Sequence, residues 1–253
     1  MLKNVCFLLF AATASFANLV PTTFLEELDL PTSITDQELV QFAKANWHQN
    51  KEKWNFTPNQ EDKKERLAPI FQEMGYLDAV KPKQNHYNYA LVIGATVTAV
   101  QKRIAQLENM ILQGLEINHI IFLAGERPLT ALEKEHCNLS TEREMVEWAY
   151  AQSGLPRSIK PVFIDAPMKE TSSGPVRPGT HDTIALWLKS NPSPGNCLVI
   201  SSQPYAPFHQ ALLQNDLPAT LPFEIAAEKA SDSWTVAHVL DSLARTLSEQ
   251  KVN

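Results

Sequence analysis

From Tyr89 onward, five short runs rich in β-branched and aromatic residues alternate with longer stretches of helical periodicity, and few folds accept that order. The runs are Tyr89-Ala90-Leu91-Val92-Ile93, Ile120-Ile121-Phe122-Leu123-Ala124, Pro161-Val162-Phe163-Ile164, Cys197-Leu198-Val199-Ile200 and the weaker Phe223-Glu224-Ile225-Ala226. Most are apolar without alternation, which is the pattern of strands covered on both faces. After the first run Val97, Val100, Ile104, Leu107 and Ile111 fall on one helical face, and Gly114 ends the helix. Ile184, Trp187 and Leu188 mark a helix after the third run, and a short one from about Phe208 follows the fourth. Val236, Val239, Leu240, Leu243 and Leu247 mark a last helix from about Asp232. Strand, helix and strand in succession require right-handed crossovers and a parallel sheet. The predicted fold is therefore α/β: a doubly wound, mostly parallel five-stranded sheet with helices on both faces, preceded by a helical N-terminal region.

Residues 18–88 carry helical periodicity and no strand signal. Thr35-Asp36-Gln37-Glu38 predicts a capping box, in which the Thr35 hydroxyl and the Glu38 carboxylate satisfy each other's free amides. Leu39, Phe42, Ala43 and Trp47 then share a face. A second helix over 61–74 presents Leu67, Ile70, Phe71 and Met74 and stops at Gly75, with Pro69 predicting a kink or a late start. Trp47 and Trp54 are expected as packing anchors of a region that docks on the Rossmann-like domain at 89–253.

Ahead of these helices, Lys3 and the apolar run Val5–Ala12 lead to Ser15-Phe16-Ala17, the small residues of a cleavage site, so 1–17 reads as a secretory signal peptide. The run is shorter than the ~20 residues a membrane helix needs, and no later segment is long and apolar enough to span a bilayer. The expected location is outside the cytoplasm, periplasmic or secreted. Net charge is −6, and removal of Lys3 with the leader makes it −7; without a Lys/Arg-rich tract this excludes nucleic acid as an expected partner. Cys137 and Cys197 survive the cleavage and leave either a bridge or two buried thiols open. No zinc-binding spacing is present, so neither metal nor cofactor is expected.

In a parallel open sheet, ligands bind beyond the carboxyl ends of the strands, so the residues just after each run carry the functional expectation. They are polar. The first run leads to Gly94 and Thr96, the second to Gly125 and Arg127, the third to Asp165 and then Arg177, Thr180 and Asp182, and the fourth to Ser201, Ser202, Gln203 and Tyr205. Glu142 opens the helix that follows Arg127. Glu142, Asp165 and Asp182 are the candidate acid/base groups, Arg127 and Arg177 the anion clamps, and Ser201, Gln203 and Tyr205 the orienting groups. Each also has a local explanation: Thr141, Thr180 and Asp182 stand where helix caps belong, Gly94 and Gly125 permit tight turns, and Asp165 could order a loop by pairing with Arg177. A single glycine after the first run excludes a dinucleotide fingerprint, and no nucleophile elbow or phosphate-binding P-loop motif occurs. A Ser202, His209, Asp165 relay can be drawn, but no spacing demands it.

Over about residues 88–215 the order of motifs resembles the SanA/YdcF-like family of domains of unknown function, a Rossmann-like group. The resemblance rests on a strand ending at Gly94, a helix containing Arg103, and a strand ending in Leu123-Ala124-Gly125. It continues in a helix opened by Ser140-Thr141-Glu142, in Thr180-His181-Asp182, and in a hydroxyl-terminated strand Val199-Ile200-Ser201-Ser202. Glu142, Thr180 and Asp182 match positions that look functional in that family. Where the family places a His and an Arg after the last of these strands, this chain has Gln203-Pro204-Tyr205-Ala206-Pro207-Phe208. The resemblance implies a role in the cell envelope and a nucleoside-type ligand. Residues and resemblance together lead to an exported protein that binds a polar, nucleotide-like or cell-wall-derived small molecule, with hydrolysis or group transfer as the reaction to test. The alternative is a non-catalytic envelope or interaction protein whose N-terminal helices are the working surface.

Overall fold

The structure, a computed structural model, describes residues 20–49, 60–172 and 174–250. The signal-peptide reading of 1–17 and the anchoring role expected of Trp54 lie outside the described residues.

Three helices come first: α1 (Thr22–Glu27), α2 (Asp36–Asn46) and α3 (Lys64–Glu73). The Thr35 hydroxyl accepts from the Glu38 amide at 3.3 Å while Glu38 returns a carboxylate to the Thr35 amide at 2.9 Å, so the expected box starts α2. A 3-10 turn at Glu61–Lys63 precedes α3, which contains Pro69 and is followed, after Met74, by Gly75 with φ of 80°. Pro69 lies inside α3, past the first turn where a proline is best tolerated, and the α-helix begins at Lys64, three residues later than the expected 61.

The Rossmann-like part runs β1 (His86–Ile93), α4 (Val97–Leu112), β2 (Glu116–Gly125), α5 (Ala131–His136), α6 (Glu142–Gln152) and β3 (Val162–Ala166). It continues with a hairpin of β4 (Lys169–Thr171) and β5 (Gly174–Val176), then α7 (Thr180–Leu188), β6 (Cys197–Ser202), α8 (Ala206–Asp216), β7 (Phe223–Glu228) and α9 (Val236–Glu249). The five long strands are parallel, in the order β3-β2-β1-β6-β7. All five expected strands are present and somewhat longer than their apolar runs. The hairpin and the short helices α1 and α5 carry no strong periodicity and were not expected.

Residues alternate between two cores, as the pleat requires. Ala90 and Val92 of β1 face α4 and α6 with Val100, Ile104, Leu107 and Met145, while Leu91 and Ile93 face α7 and α8 with Ile184, Trp187 and Leu212. Each of the larger side chains contributes about 1.5–3 kcal/mol by leaving water. A third core joins Phe24, Leu39, Trp47, Leu67 and Phe71 of the N-terminal helices to Val239, Leu240, Leu243 and Leu247 of α9. The apolar faces of α1–α3 are thus turned toward α9. Cys137 and Cys197 are both buried and both free, so the bridge left open by the sequence is not formed. Among the described residues no helix is long and apolar enough to cross a membrane.

Candidate functional site

The chain leaves β1 for β2 on one side and later reaches β6 on the other, so the loops after β1 and β6 diverge at the carboxyl edge of the sheet. Crevices open at such switch points. Here a cleft of about 720 Å³ is lined by Gly94, Thr96, Lys102 and Arg103 from the first side, Ser201, Ser202 and Tyr205 from the second, and Arg177 above. A companion cavity of about 310 Å³ shares Gly94 and Arg177 and adds Arg127, Glu142 and Thr180.

Glu142 sits at the start of α6, whose first amide donates to the Arg127 carbonyl at 3.0 Å. Its carboxylate lies against Gly94, where an added Cβ would come within 2.8 Å of Oε1. Arg127 Nε approaches Glu142 Oε2 at 3.5 Å. The rest of that guanidinium is committed, with Nη1 and Nη2 reaching Glu133 at 2.9 and 2.8 Å and Nη2 the Ala95 carbonyl at 2.9 Å. Burial pushes the Glu142 carboxyl above its ordinary value, against the pull of Arg127 and Arg177 and with a push from Glu133. Burial also works against the Glu133 charge, but the Arg127 hydrogen bonds outweigh it and hold Glu133 low. One arginine therefore serves two acids of different character. Glu133 is its bidentate partner and is held low, whereas Glu142, its second and more distant partner, is raised and faces the smaller cavity.

The first helix after β1 supplies the opposite charge. Arg103 is 4% exposed and its Nη1 donates to the carbonyls of Ile93 at 2.7 Å and Gly94 at 3.0 Å, while Nη2 donates to Ser202 Oγ at 2.8 Å. It ties the ends of β1 and β6 together across the switch point. Below them, Ser201 Oγ and His209 Nδ1 are 2.7 Å apart, both buried. Deeper still, Asp241 of α9 accepts from Tyr205 Oη at 3.0 Å, Arg245 Nε at 2.8 Å and the Gln49 amide at 2.8 Å.

The expected site residues divide by position. Gly94, Thr96, Arg177, Ser201, Ser202, Gln203 and Tyr205 line the larger cleft, and Arg127, Glu142 and Thr180 the smaller cavity. Gln203 is also a tether, its amide donating to the carbonyls of Gly75 at 2.9 Å and Asp78 at 2.8 Å. Gly125, Asp165 and Asp182 line neither. Gly125 lets Pro178 close over it, since an added Cβ would collide with that ring. Asp165 is the last residue but one of the edge strand β3, where burial raises its carboxyl and Arg143, rather than Arg177, is the opposing cation. Asp182 accepts from the Gly179 amide and from Lys169 Nζ, both at 2.7 Å, as a cap and surface ion pair. Residues the sequence did not offer as site groups are Lys102, Arg103, Glu133, Asp241 and Arg245. Arg103 had a visible signal, because it interrupts the Val100, Ile104, Leu107 face with a charge.

Fold and site define a doubly wound α/β protein with a charged cleft at the topological switch point. No family model, curated protein or solved structure matches the chain. Among the described residues no cluster of His, Cys, Asp and Glu has the arrangement of a metal site.

Proposed function

We propose that this chain is an exported, SanA/YdcF-like α/β protein that binds a polar, nucleotide-like or cell-wall-derived small molecule at the carboxyl edge of its sheet and transfers a group from it, to water in the simplest case. The observation that carries this reading is Glu142: a buried carboxyl with raised proton affinity, packed on the β1 turn and opening into a cavity beside two arginines. Such acids are enriched at catalytic sites, because a carboxyl titrating nearer neutrality can both take and give a proton. In hydrolysis Glu142 would accept a proton from water as the water oxygen bonds to the electrophilic centre, and would return it to the leaving oxygen as the old bond breaks. Arg177 would hold the ligand's polar end. Export is supported by the basic, apolar and small-residue order of residues 1–17.

Incubation of the purified mature chain with nucleoside phosphates and cell-wall fragments, followed by mass spectrometry, tests the proposal. At least one compound should be converted, with Glu142→Gln slowing it by about 10²-fold or more. Absence of both binding and conversion across the panel, or a rate untouched by Glu142→Gln, would overturn it.

A further inference from the structure

We infer that the β1/β6 end of the larger cleft is an oxyanion subsite, built to seat a phosphate or phosphoester group between the first turn of α4 and the Ser202 hydroxyl. The inference rests on the ligand-binding reading of this cleft and specifies the chemistry of what binds there.

The first observation is an uncompensated charge. Arg103 is almost wholly buried, yet its partners are two carbonyls and a hydroxyl, and among the described residues no carboxylate lies within ion-pair distance of it. Glu142 acts on it only from farther away, and among the described residues the buried Nε has no hydrogen-bond partner. Burying a charge without a counter-ion costs several kcal/mol, so such groups are normally paired. Here the guanidinium lines an open cleft, where an anion from solution can do the pairing. Burial holds the His209 imidazole below its ordinary value, and Arg103 and Arg245 push it further in the same direction.

The second observation is α4 itself. Its N-cap, Thr96, makes no side-chain cap, and the first intrahelical bond is Val100 to Thr96 at 2.9 Å. The amides of Val97, Thr98 and Ala99 therefore have no acceptor among the described residues, and all three residues line the cleft. Helices α2, α5 and α6 are closed by capping boxes, whereas α1, α3 and α8, like α4, have no side-chain cap; of these, α4 is the one that begins directly after β1 at the switch point. Uncapped amides at the positive end of a sixteen-residue helix form a natural oxyanion seat. Ser202 completes it: because its oxygen accepts from Arg103, its own proton is left to donate into the cleft. Lys102 stands exposed at the mouth. Several converging donors and this much positive charge match a tetrahedral dianion better than a single neutral acceptor.

The test is a titration of the mature protein with inorganic phosphate and, separately, phenyl phosphate at constant ionic strength, followed by amide proton and nitrogen shifts. Both should move Val97, Thr98 and Ala99 before any other amide. Lys102→Glu and Ser202→Ala should each weaken binding several-fold, Arg103→Met tenfold or more, and Lys44→Glu on α2 not at all. Tighter phenyl phosphate identifies a phosphoester as the group bound, and tighter inorganic phosphate the free ion; either supports the subsite. If Arg103→Met does not fold, Lys102→Glu and Ser202→Ala decide, since neither side chain is buried. Shifts that miss the α4 amides, or that survive both of these variants, overturn the subsite. Glu142-dependent conversion of a compound without phosphate would then still uphold the cleft as a binding site, whereas its absence would remove both readings.

Discussion

Ser201 near the end of β6 and His209 on α8 face each other at 2.7 Å at the wall of the cleft, both buried and each the other's partner. Removing one leaves the other unsatisfied. Ser201→Ala should destabilise the fold by about 1–3 kcal/mol, read as a shift in denaturant midpoint.

The same pair sets an acid limit on stability. Burial first, and then Arg103 and Arg245, hold the His209 imidazole well below its ordinary value, so the unfolded chain takes up a proton that the folded chain refuses. That contribution is present above the ordinary histidine range and lost as pH falls through it. Melting curves between pH 7.5 and 5.5 should show the decline, and His209→Gln should flatten it.

His181 gives the opposite sign. Its Nδ1 lies 2.6 Å from Asp216 and its Nε2 2.9 Å from Glu249, bridging the ends of α8 and α9 from α7. Burial works against the charge, but the two carboxylates prevail and raise the imidazole above its ordinary value. The stabilisation is complete below the ordinary histidine value and lost as pH rises through the raised one. Because the ring is half exposed, His181→Gln should cost only about 0.5 kcal/mol at pH 5.5 and almost nothing at pH 9, measured by thermal melting.

Arg127 holds two buried acids at once. Arg127→Met would leave Glu133 and Glu142 without their cation, and a loss of about 3–5 kcal/mol is expected in chemical denaturation.

Glu142→Gln should do the reverse. A carboxyl whose proton affinity is raised by burial lowers stability as pH climbs above the ordinary carboxylate range, so the amide should be more stable than the native residue at pH 7. A gain of about 1 kcal/mol, with conversion of ligand lost, is the trade expected where a site residue is held against its own solvation.

Much of the scaffold was legible because it is written in local periodicity. Unbroken apolar runs gave the strands, Thr35 and Glu38 gave the start of α2, and the spacing of Val236, Val239, Leu240, Leu243 and Leu247 gave the buried face of α9. The hairpin β4–β5 was not legible, since three-residue strands without a buried residue leave no hydrophobic period. Of the expected acids, Glu142 came to the cavity wall, whereas Asp165 and Asp182 lie outside it. All three were read from positions after apolar runs, but only the strand order decides which strand ends meet.

The sequence by itself determined where the five long strands and the amphipathic helices form and that those strands run in parallel, because both follow from the period of apolar residues and from crossover handedness. Only the tertiary structure decided that β1 lies between β2 and β6 and that Arg103 enters the cleft without a carboxylate. It also paired Ser201, rather than Ser202, with His209. Those relationships join residues about a hundred positions apart or on opposite sides of one turn, where side-chain direction depends on packing against neighbours that no local pattern encodes.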